Sequence, residues 1–229
     1  DELFKLGKPV VLLVGAGRPL ILSDYKDKAD AIVYMWHLGT ETGHAVADVL
    51  TGKFNPSGHL PVSFPRCVGQ VPVYYNYLAT GKPALNKRPF EAKYQDVEIG
   101  ALYPFGYGKS YTEFTYSNLT LSSDKMGKDG EILVSVDVEN VGEYGGSDVV
   151  QLYIRDLIGS RVRPVKELKG YKKLYLEKGE KQTVTITLKA KDLAFTNDLM
   201  EKVVEEGEFK LFIGHDSSDS ELSTTFFVE

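Results

Sequence analysis

The spacing of apolar residues changes along the chain, and its first quarter follows an α/β pattern. Two short, nearly continuous apolar runs, PVVLLVGA (9–16) and ADAIVYMW (29–36), are typical of parallel strands that are covered on both faces. In TETGHAVADVLTG (40–52), apolar residues recur at helical spacing. The pattern therefore predicts a helix after the second strand, with Thr40 as its N-cap and Gly52 as its stop.

From about residue 113 the apolar period becomes two, which predicts β-strands with one buried and one wet face. The alternation is clear in 132–139, 150–155 and 184–188. In the second of these strands it places outward the side chains of Gln151, Tyr153 and Arg155. About seven strands result when four further extended segments are added: 116–121, 167–176, 208–214 and 223–229. This count is typical of an immunoglobulin-like β-sandwich.

Residues 66–112 follow neither period. The segment contains four prolines, Pro72, Pro83, Pro89 and Pro104, together with many tyrosines. Such an aromatic-rich stretch is unlike a flexible linker. It predicts a long ordered connection that wraps around its neighbours.

Composition and charge narrow the class of protein. The chain has 229 residues, 42% hydrophobic and 26% charged, which is typical of a globular protein, and its length favours two modest domains. A net charge of −5 and the lack of a basic stripe argue against nucleic acid as a partner. Because no apolar run reaches the roughly 18 to 20 residues of a membrane span, no membrane partner is expected.

Cysteine and histidine supply no predicted site. Cys67 is the single cysteine, so neither an internal disulfide nor a thiolate metal cluster can form. The histidines, His37, His44, His59 and His215, are isolated and lack a metal-ligand spacing. We therefore predict no metal and no cofactor, and interpret each histidine as a surface or satisfied core residue.

The glycines in VVLLVGAGRP (10–19) raise the question of a dinucleotide site. The third glycine of that fingerprint is replaced by Leu20. Only about a dozen residues separate Arg18 from the next predicted strand, against about 30 or more in a typical βαβ unit. The favoured interpretation is a strand end followed by a tight turn.

Two polar residues remain as candidates for chemistry. Ser57, in NPSGH, resembles a nucleophile elbow only superficially because Asn55 replaces the first glycine, so a serine hydrolase is not favoured. Glu41 follows a predicted parallel strand, at the edge where open α/β sheets bind ligands. The alternative is a first-turn carboxylate that interacts with the helix dipole. The residues alone leave both roles of Glu41 open.

The first residues, DELFKLGK, are typical of the last turns of an amphipathic helix that stops at Gly7. The chain is therefore expected to begin inside a larger protein. A processed mature terminus is the alternative.

Several long motifs occur in an order that resembles the C-terminal part of glycoside hydrolase family 3, above all its periplasmic-type β-glucosidases. They are GKPVVLLVGAGRPL, ADAIVYMWHLGTETGHAVADVLTGKFNPSGHLPVSFP, VGQVPVYYNYLATGKP, LYPFGYGKSYTEFTYSNL, VVQLYIRD and RPVKELKGYKKLYLEKGE. The resemblance covers nearly the whole chain. It implies an α/β region followed by an all-β region: half of an α/β sandwich with mostly parallel strands, then a fibronectin-type-III-like sandwich of the immunoglobulin fold. The implied domains are 1–65, the wrapping connection 66–112, and 113–229.

The same resemblance implies a retaining, exo-acting β-glucosidase whose two catalytic carboxyl groups lie about 5 Å apart. The nucleophile of the family is on an N-terminal barrel and the acid/base precedes this segment, so both are expected upstream of Asp1, and the chain alone is expected to be inactive. WHLGTETG (36–43) matches the family pattern W-x-P-G-x-E-G-G, which makes Trp36 and Glu41 candidates for substrate binding. Leu38 and Thr42 depart from that pattern. The alternative role for Glu41 is to cap backbone N–H groups of its loop.

Two other functions stay open at the level of sequence. One is a free-standing carbohydrate-binding module that uses the tyrosines of segment 74–77. The other is a structural or interaction module in which the sandwich braces the α/β part or forms a homodimer surface. The partners implied by the resemblance are the N-terminal barrel and a β-linked glucoside or oligosaccharide, and the implied location is periplasmic or extracellular.

Overall fold

A computed structural model describes residues 1–79 and 94–229. In its first part, two parallel strands are followed by one α-helix, as the apolar pattern predicts. The elements are a 3₁₀ helix Leu3–Leu6, β1 Val11–Val14, β2 Ala31–Tyr34, a 3₁₀ helix Gly39–Glu41 and α1 Thr42–Leu50. Val11 pairs with Ala31 and Val14 with Tyr34, so the carboxyl ends of β1 and β2 lie at one edge.

The ends of these helices confirm two predictions and correct one. The first 3₁₀ helix stops at Gly7 (φ +61°) and α1 is followed by Gly52 (φ +76°), both in the left-handed region that glycine adopts without strain. The prediction that Thr40 is the N-cap is wrong, because the N-cap of α1 is Glu41. The residues before it form the 3₁₀ turn Gly39–Glu41, which delays the first α-helical residue.

A small apolar core holds the α/β part together. Leu22, Phe64 and Leu102 are buried in it, and the partly buried ring of Tyr34 packs against them. The Leu102 N–H donates to Phe64 O at 2.7 Å, and the Phe64 N–H donates to Tyr103 O at 2.8 Å. The end of the connecting segment therefore pairs with the LPVSF segment instead of leaving the α/β part.

The described part of the connection makes specific contacts with the sandwich. It contains a 3₁₀ helix, Val68–Gln70, and the Val165 N–H of the sandwich donates to Tyr77 O at 2.9 Å. Residues 80–93, which include the end of the motif VGQVPVYYNYLATGKP, lie outside the described residues. The boundaries at 65 and 113 stay predictions.

The remainder of the chain is a β-sandwich with the seven predicted strands and three short additional ones. The strands are β3 Phe114–Leu121, β4 Lys125–Met126, β5 Glu131–Asn140, β6 Gly146–Asp156, β7 Glu167–Leu176, β8 Lys181–Lys189, β9 Phe195–Thr196, β10 Lys202–Val203, β11 Gly207–Gly214 and β12 Leu222–Val228. One sheet has the order β4-β12-β11-β6-β7 and the other β3-β5-β8. Among the described residues, no helix has the length and apolarity needed to cross a membrane.

The sandwich core is made by the inward positions of both sheets. On β5, Ile132, Val134, Val136 and Val138 are all at most 1% exposed, and they pack in one cluster with inward residues of β6, β8, β11 and β12. Each such side chain contributes about 1.5–3 kcal/mol through removal from water. The period of two along β5 therefore identifies the core face correctly.

The outward face of β6 differs from its prediction. Gln151 is 3% exposed and Tyr153 is fully buried, whereas Arg155 is exposed as expected. The connection covers this face, because the Tyr75 ring lies 5.9 Å from the Tyr153 ring and stacks on Phe105 at 4.4 Å. The prediction of a wet face for Gln151 and Tyr153 is wrong, since it considered the strand without the segment that folds over it.

Candidate functional site

The candidate site at the edge of the β1–β2 sheet begins with the glycine loop that follows β1. A Cβ atom on Gly17 would lie 2.8 Å from His37 Nε2, and one on Gly15 would lie 3.8 Å from Met35 Cε. The loops after β1 and β2 therefore pack against each other, and Gly17 allows the close approach. This contact gives Gly17 a steric role in the tight turn that the sequence predicts.

Trp36 lies where β2 ends and its chain turns toward α1. Its φ of +52° is in the left-handed region, which is uncommon for a bulky residue and is retained only where the surroundings compensate. The indole packs edge-on against Tyr34 at 4.9 Å and against Phe64 at 6.1 Å between ring centroids. The small α/β core thus holds the ring in a defined orientation at the sheet edge.

Glu41 lies on the exposed side of the same loop. Its side chain is 75% exposed, and its Oε2 lies 2.6 Å from Nδ1 of His44, one turn into α1. Although Glu41 is the N-cap residue, its side chain makes no capping hydrogen bond. The alternative that Glu41 caps backbone N–H groups is therefore wrong. A negative charge at this helix end remains favourable to the helix dipole.

A second cluster of polar residues joins the two parts of the chain. Asp148 on β6 is 5% exposed. Its carboxylate lies 3.3 Å from His59 Nε2 and 3.3 Å from His215 Nδ1, and the Tyr116 hydroxyl donates to it at 2.7 Å. The Tyr116 and His215 rings also stack at 4.0 Å. We call these four residues the Asp148 cluster.

Electrostatics in the Asp148 cluster favour the ionised carboxylate. Burial opposes its ionisation, but hydrogen bonds from His215, His59 and Tyr116 outweigh burial and hold the pKa of Asp148 well below its usual range. Burial likewise opposes the charged form of His215, yet the hydrogen bond and charge of Asp148 raise the pKa of that imidazole. Burial and the neighbouring carboxylate both raise the pKa of Tyr116, so it stays a hydrogen-bond donor.

The interpretation of His59 and His215 as isolated holds only along the sequence. The fold brings both histidines to the Asp148 carboxylate. The four residues of the cluster are far apart in the sequence, so no sequence motif could relate them. Across residues 1–79 and 94–229, no three His, Cys, Asp or Glu side chains form a group suited to a metal ion. Through His59 on one side and Tyr116 and His215 on the other, the buried Asp148 carboxylate links the α/β part to the sandwich.

The other candidates from the sequence lie apart from the sheet edge. Ser57 Oγ accepts a hydrogen bond from Lys173 Nζ on β7 at 2.8 Å. In segment 74–77, Tyr74 and Tyr77 are 62% and 58% exposed, whereas Tyr75 stacks inside the connection. The tyrosines of this segment therefore do not form one continuous exposed platform.

Comparison with known proteins agrees with this architecture. Residues 1–111 match the glycosyl hydrolase family 3 C-terminal domain, and residues 148–217 match the fibronectin type III-like domain. The chain is 50% identical over 214 residues to the periplasmic beta-glucosidase of Salmonella typhimurium, covering 93% of this chain and 28% of that protein. It is 38% identical over 228 residues to a beta-xylosidase of Formosa agariphila, covering 98% of this chain and 30% of that protein.

A solved structure shares the fold along almost the whole length. The beta-glucosidase from Listeria innocua in complex with gluconolactone superposes with a TM-score of 0.94 at 40% identity, covering 98% of this chain and 31% of that chain. The same enzyme with the substitution D270A has been solved in complex with laminaribiose. The present chain spans about 30% of the length of these relatives.

These matches confirm the resemblance that the motifs indicate, and they confirm the fold class of an α/β part followed by a β-sandwich. The α/β part corresponds to one family domain and the sandwich to the other. The chain belongs to glycoside hydrolase family 3, and it comprises the C-terminal domain of that family followed by a fibronectin type III-like domain.

Proposed function

We propose that this chain is the C-terminal part of a retaining, exo-acting β-glucosidase that hydrolyses terminal β-D-glucosyl residues. The proposal rests on one observation: 98% of the chain shares the fold of the Listeria innocua beta-glucosidase, and the chain is 50% identical to the Salmonella periplasmic beta-glucosidase. Because one of the relatives is a beta-xylosidase, a β-xyloside is the main alternative to a β-glucoside as the substrate.

The proposal includes inactivity of the chain by itself. A retaining glycosidase needs two carboxyl groups about 5 Å apart, one of which must exchange a proton near neutral pH. Asp148 is unsuited to that role, because three hydrogen-bonding side chains keep it ionised and buried. By family resemblance the nucleophile is assigned to an N-terminal barrel and the acid/base to a loop upstream of Asp1, and that barrel is the proposed partner of the α/β part.

We assign substrate binding in the whole enzyme to Trp36 and Glu41. Both lie after β2, at the sheet edge where open α/β sheets bind ligands. Trp36 keeps an unusual left-handed φ there, and the Glu41 carboxylate is exposed and paired only with the exposed imidazole of His44 among the described residues. A carboxylate in that position is able to accept two hydroxyl hydrogen bonds from a sugar ring.

A chimera tests the proposed function. This chain would replace the matching segment of the Salmonella periplasmic beta-glucosidase, and hydrolysis of p-nitrophenyl β-D-glucoside would be measured for the chimera, the parent enzyme and the chain alone. We expect activity in the chimera within about tenfold of the parent and none in the chain alone. Turnover by the chain alone, or a folded chimera without turnover, would contradict the proposal.

The role of Glu41 is tested in the same chimera. Glu41→Gln exchanges a charge-assisted hydrogen bond for a neutral one, and we expect kcat/KM to fall about tenfold, which corresponds to about 1.4 kcal/mol. His44→Gln is the matched control, because it removes the partner of Glu41 and leaves the carboxylate in place. Equal losses in both variants would show that the pair is structural.

The location proposed for the protein is periplasmic or extracellular. It rests on the name of the Salmonella relative, which is a periplasmic enzyme. Fractionation of cells that express the full-length protein, with a periplasmic and a cytoplasmic marker, tests this location. A homodimer through the sandwich is a further proposal that sedimentation of the same protein tests.

A further inference from the structure

A groove of about 870 Å³ lies between the C-terminal end of α1 and the start of the β6–β7 pair. This size falls within the range of small-molecule sites and has room for a few pyranose rings. Aromatic side chains line it with their surfaces accessible to water: Tyr144 is 63% exposed, Tyr175 57%, Phe54 55% and Tyr111 44%.

Two glycines form a cradle in the groove. A Cβ on Gly145 would lie 2.3 Å from the Tyr175 hydroxyl, and one on Gly146 would lie 2.7 Å from Asn55 Nδ2. The Asn55 amide donates to Gly145 O at 3.0 Å, which ties the segment after α1 to the start of β6. The two small residues therefore let Tyr175 and Asn55 approach the backbone closely.

Hydrogen bonds hold two of the aromatic side chains, Tyr111 and Tyr175, in place before any ligand binds. The Tyr111 hydroxyl donates to Val49 O at 2.8 Å, and the Tyr111 N–H donates to Asn55 Oδ1 at 2.8 Å. The Tyr175 hydroxyl donates to Glu177 Oε1 at 3.3 Å. A preformed site loses less conformational entropy on binding than one whose side chains must be ordered.

The charge of the lining selects the class of ligand. Among the described residues that line it, Lys53 is the one charged residue; its Nζ lies 2.9 Å from Asp48 Oδ1, so this lining carries little net charge. The other polar groups are neutral, and they include Thr51, Ser57 and Ser147. Lys173 Nζ also reaches the lining at Ser57, at 2.8 Å, but two lysines are too few to neutralise the row of phosphates of a nucleic acid. Amphipathic aromatic rings together with neutral hydrogen-bonding groups suit a sugar, which has an apolar C–H face and a rim of hydroxyl groups.

We propose that this groove binds a neutral oligosaccharide, with pyranose rings stacked on Tyr144 and Tyr175. The groove binds without hydrolysing, and its ligand is a chain of linked sugars. The choice of a β-linked glucan as that chain rests on the proposed function.

Titration of the purified chain with laminaritetraose by calorimetry tests the proposal. We expect saturable binding with a dissociation constant on the order of 1 mM, weakened about tenfold or more by Tyr175→Ala and by Tyr144→Ala. Tyr171→Ala is the matched control, because Tyr171 is also on β7 and 70% exposed but does not line the groove, and we expect binding within about twofold of the original. Circular dichroism of each variant verifies the fold.

Four outcomes would overturn the proposal. The first three are no saturation up to about 10 mM sugar, equal weakening by Tyr171→Ala, and unchanged binding in both Tyr144→Ala and Tyr175→Ala. Weakening by Glu41→Gln instead would place the sugar at the sheet edge, and it also counts against the groove. Because this titration requires no hydrolysis, failure of the groove is distinguishable from failure of the chimera to hydrolyse a glucoside.

Discussion

Asp148→Asn is the substitution that tests most directly how the two parts of the chain are joined. The variant keeps the size of the side chain but removes the charge that faces His59, His215 and Tyr116. The Tyr116 hydroxyl then donates to a neutral oxygen, which loses about 1 kcal/mol. His59 is only 15% exposed, and loss of the charged acceptor that faces its Nε2 adds about 1–2 kcal/mol.

His215 makes this effect depend on pH. Because the folded-state pKa of His215 is raised, its contribution is fully present below the ordinary pKa of about 6.5 and is lost as pH rises through the folded pKa. The side chain is 43% exposed, so water screens the pair and limits the contribution to about 0.5–1 kcal/mol. The lowered pKa of Asp148 gives a contribution that is present above about pH 4 and is lost only in strong acid.

The free energy of unfolding of the chain, measured by urea denaturation between pH 5 and 9, is the appropriate assay. We expect Asp148→Asn to cost about 3 kcal/mol at pH 5.5 and about 2 kcal/mol at pH 9. Asp129→Asn removes the same charge from an exposed site of the sandwich, and we expect a change of at most about 0.5 kcal/mol. A cost for Asp148→Asn that equals this control, or that grows with rising pH, would refute the reasoning.

Two further substitutions test the packing of the connection on the sandwich and the packing within the sandwich core. Gly106→Ala should lower the free energy of unfolding by about 2–4 kcal/mol, because φ is +83° and the new Cβ would lie 2.0 Å from the buried Gln151 side chain. Thermal melting measures this effect, with Gly127→Ala as the control because its Cβ would meet no atom within 4 Å. Equal melting temperatures of the two variants would contradict the prediction. In the urea assay, Ile132→Ala should lower the free energy of unfolding by about 2–5 kcal/mol, because Ile132 is fully buried. Leu133 is 43% exposed, so Leu133→Ala should cost under about 1 kcal/mol. Similar costs would show that the inward face of β5 is misassigned.

The order of elements is the part of the fold that the sequence predicts well. The apolar runs at 9–16 and 29–36 become β1 and β2, and the three alternating and four further extended segments after residue 113 become the seven long strands. These predictions depend on neighbours within about ten residues, where periodicity is a direct consequence of strand and helix geometry. Family motifs are likewise continuous segments, so the resemblance was available without a structure.

The sequence was less informative about how side chains of distant segments meet. The polar alternation of β6 predicted water around Gln151 and Tyr153, but the connection buries them with Tyr75 and through a hydrogen bond from Gln151 Nε2 to Gly106 O at 3.0 Å. The N-cap of α1 is Glu41 and not the predicted Thr40, because a 3₁₀ turn precedes the helix. Each difference arises where a local preference competes with a contact or turn that the local pattern does not contain.

The amino-acid sequence by itself determined the α/β part, the seven-strand sandwich, the family and Trp36 and Glu41 as residues of one loop. Only the tertiary structure decided that His59 and His215 share Asp148, and that the aromatic groove forms between α1 and the sandwich. The physical reason is the distance along the chain between the residues that interact. Periodicity records which face of an element is apolar, whereas ion pairs and cavities depend on side chains that only the packing of separate elements brings together.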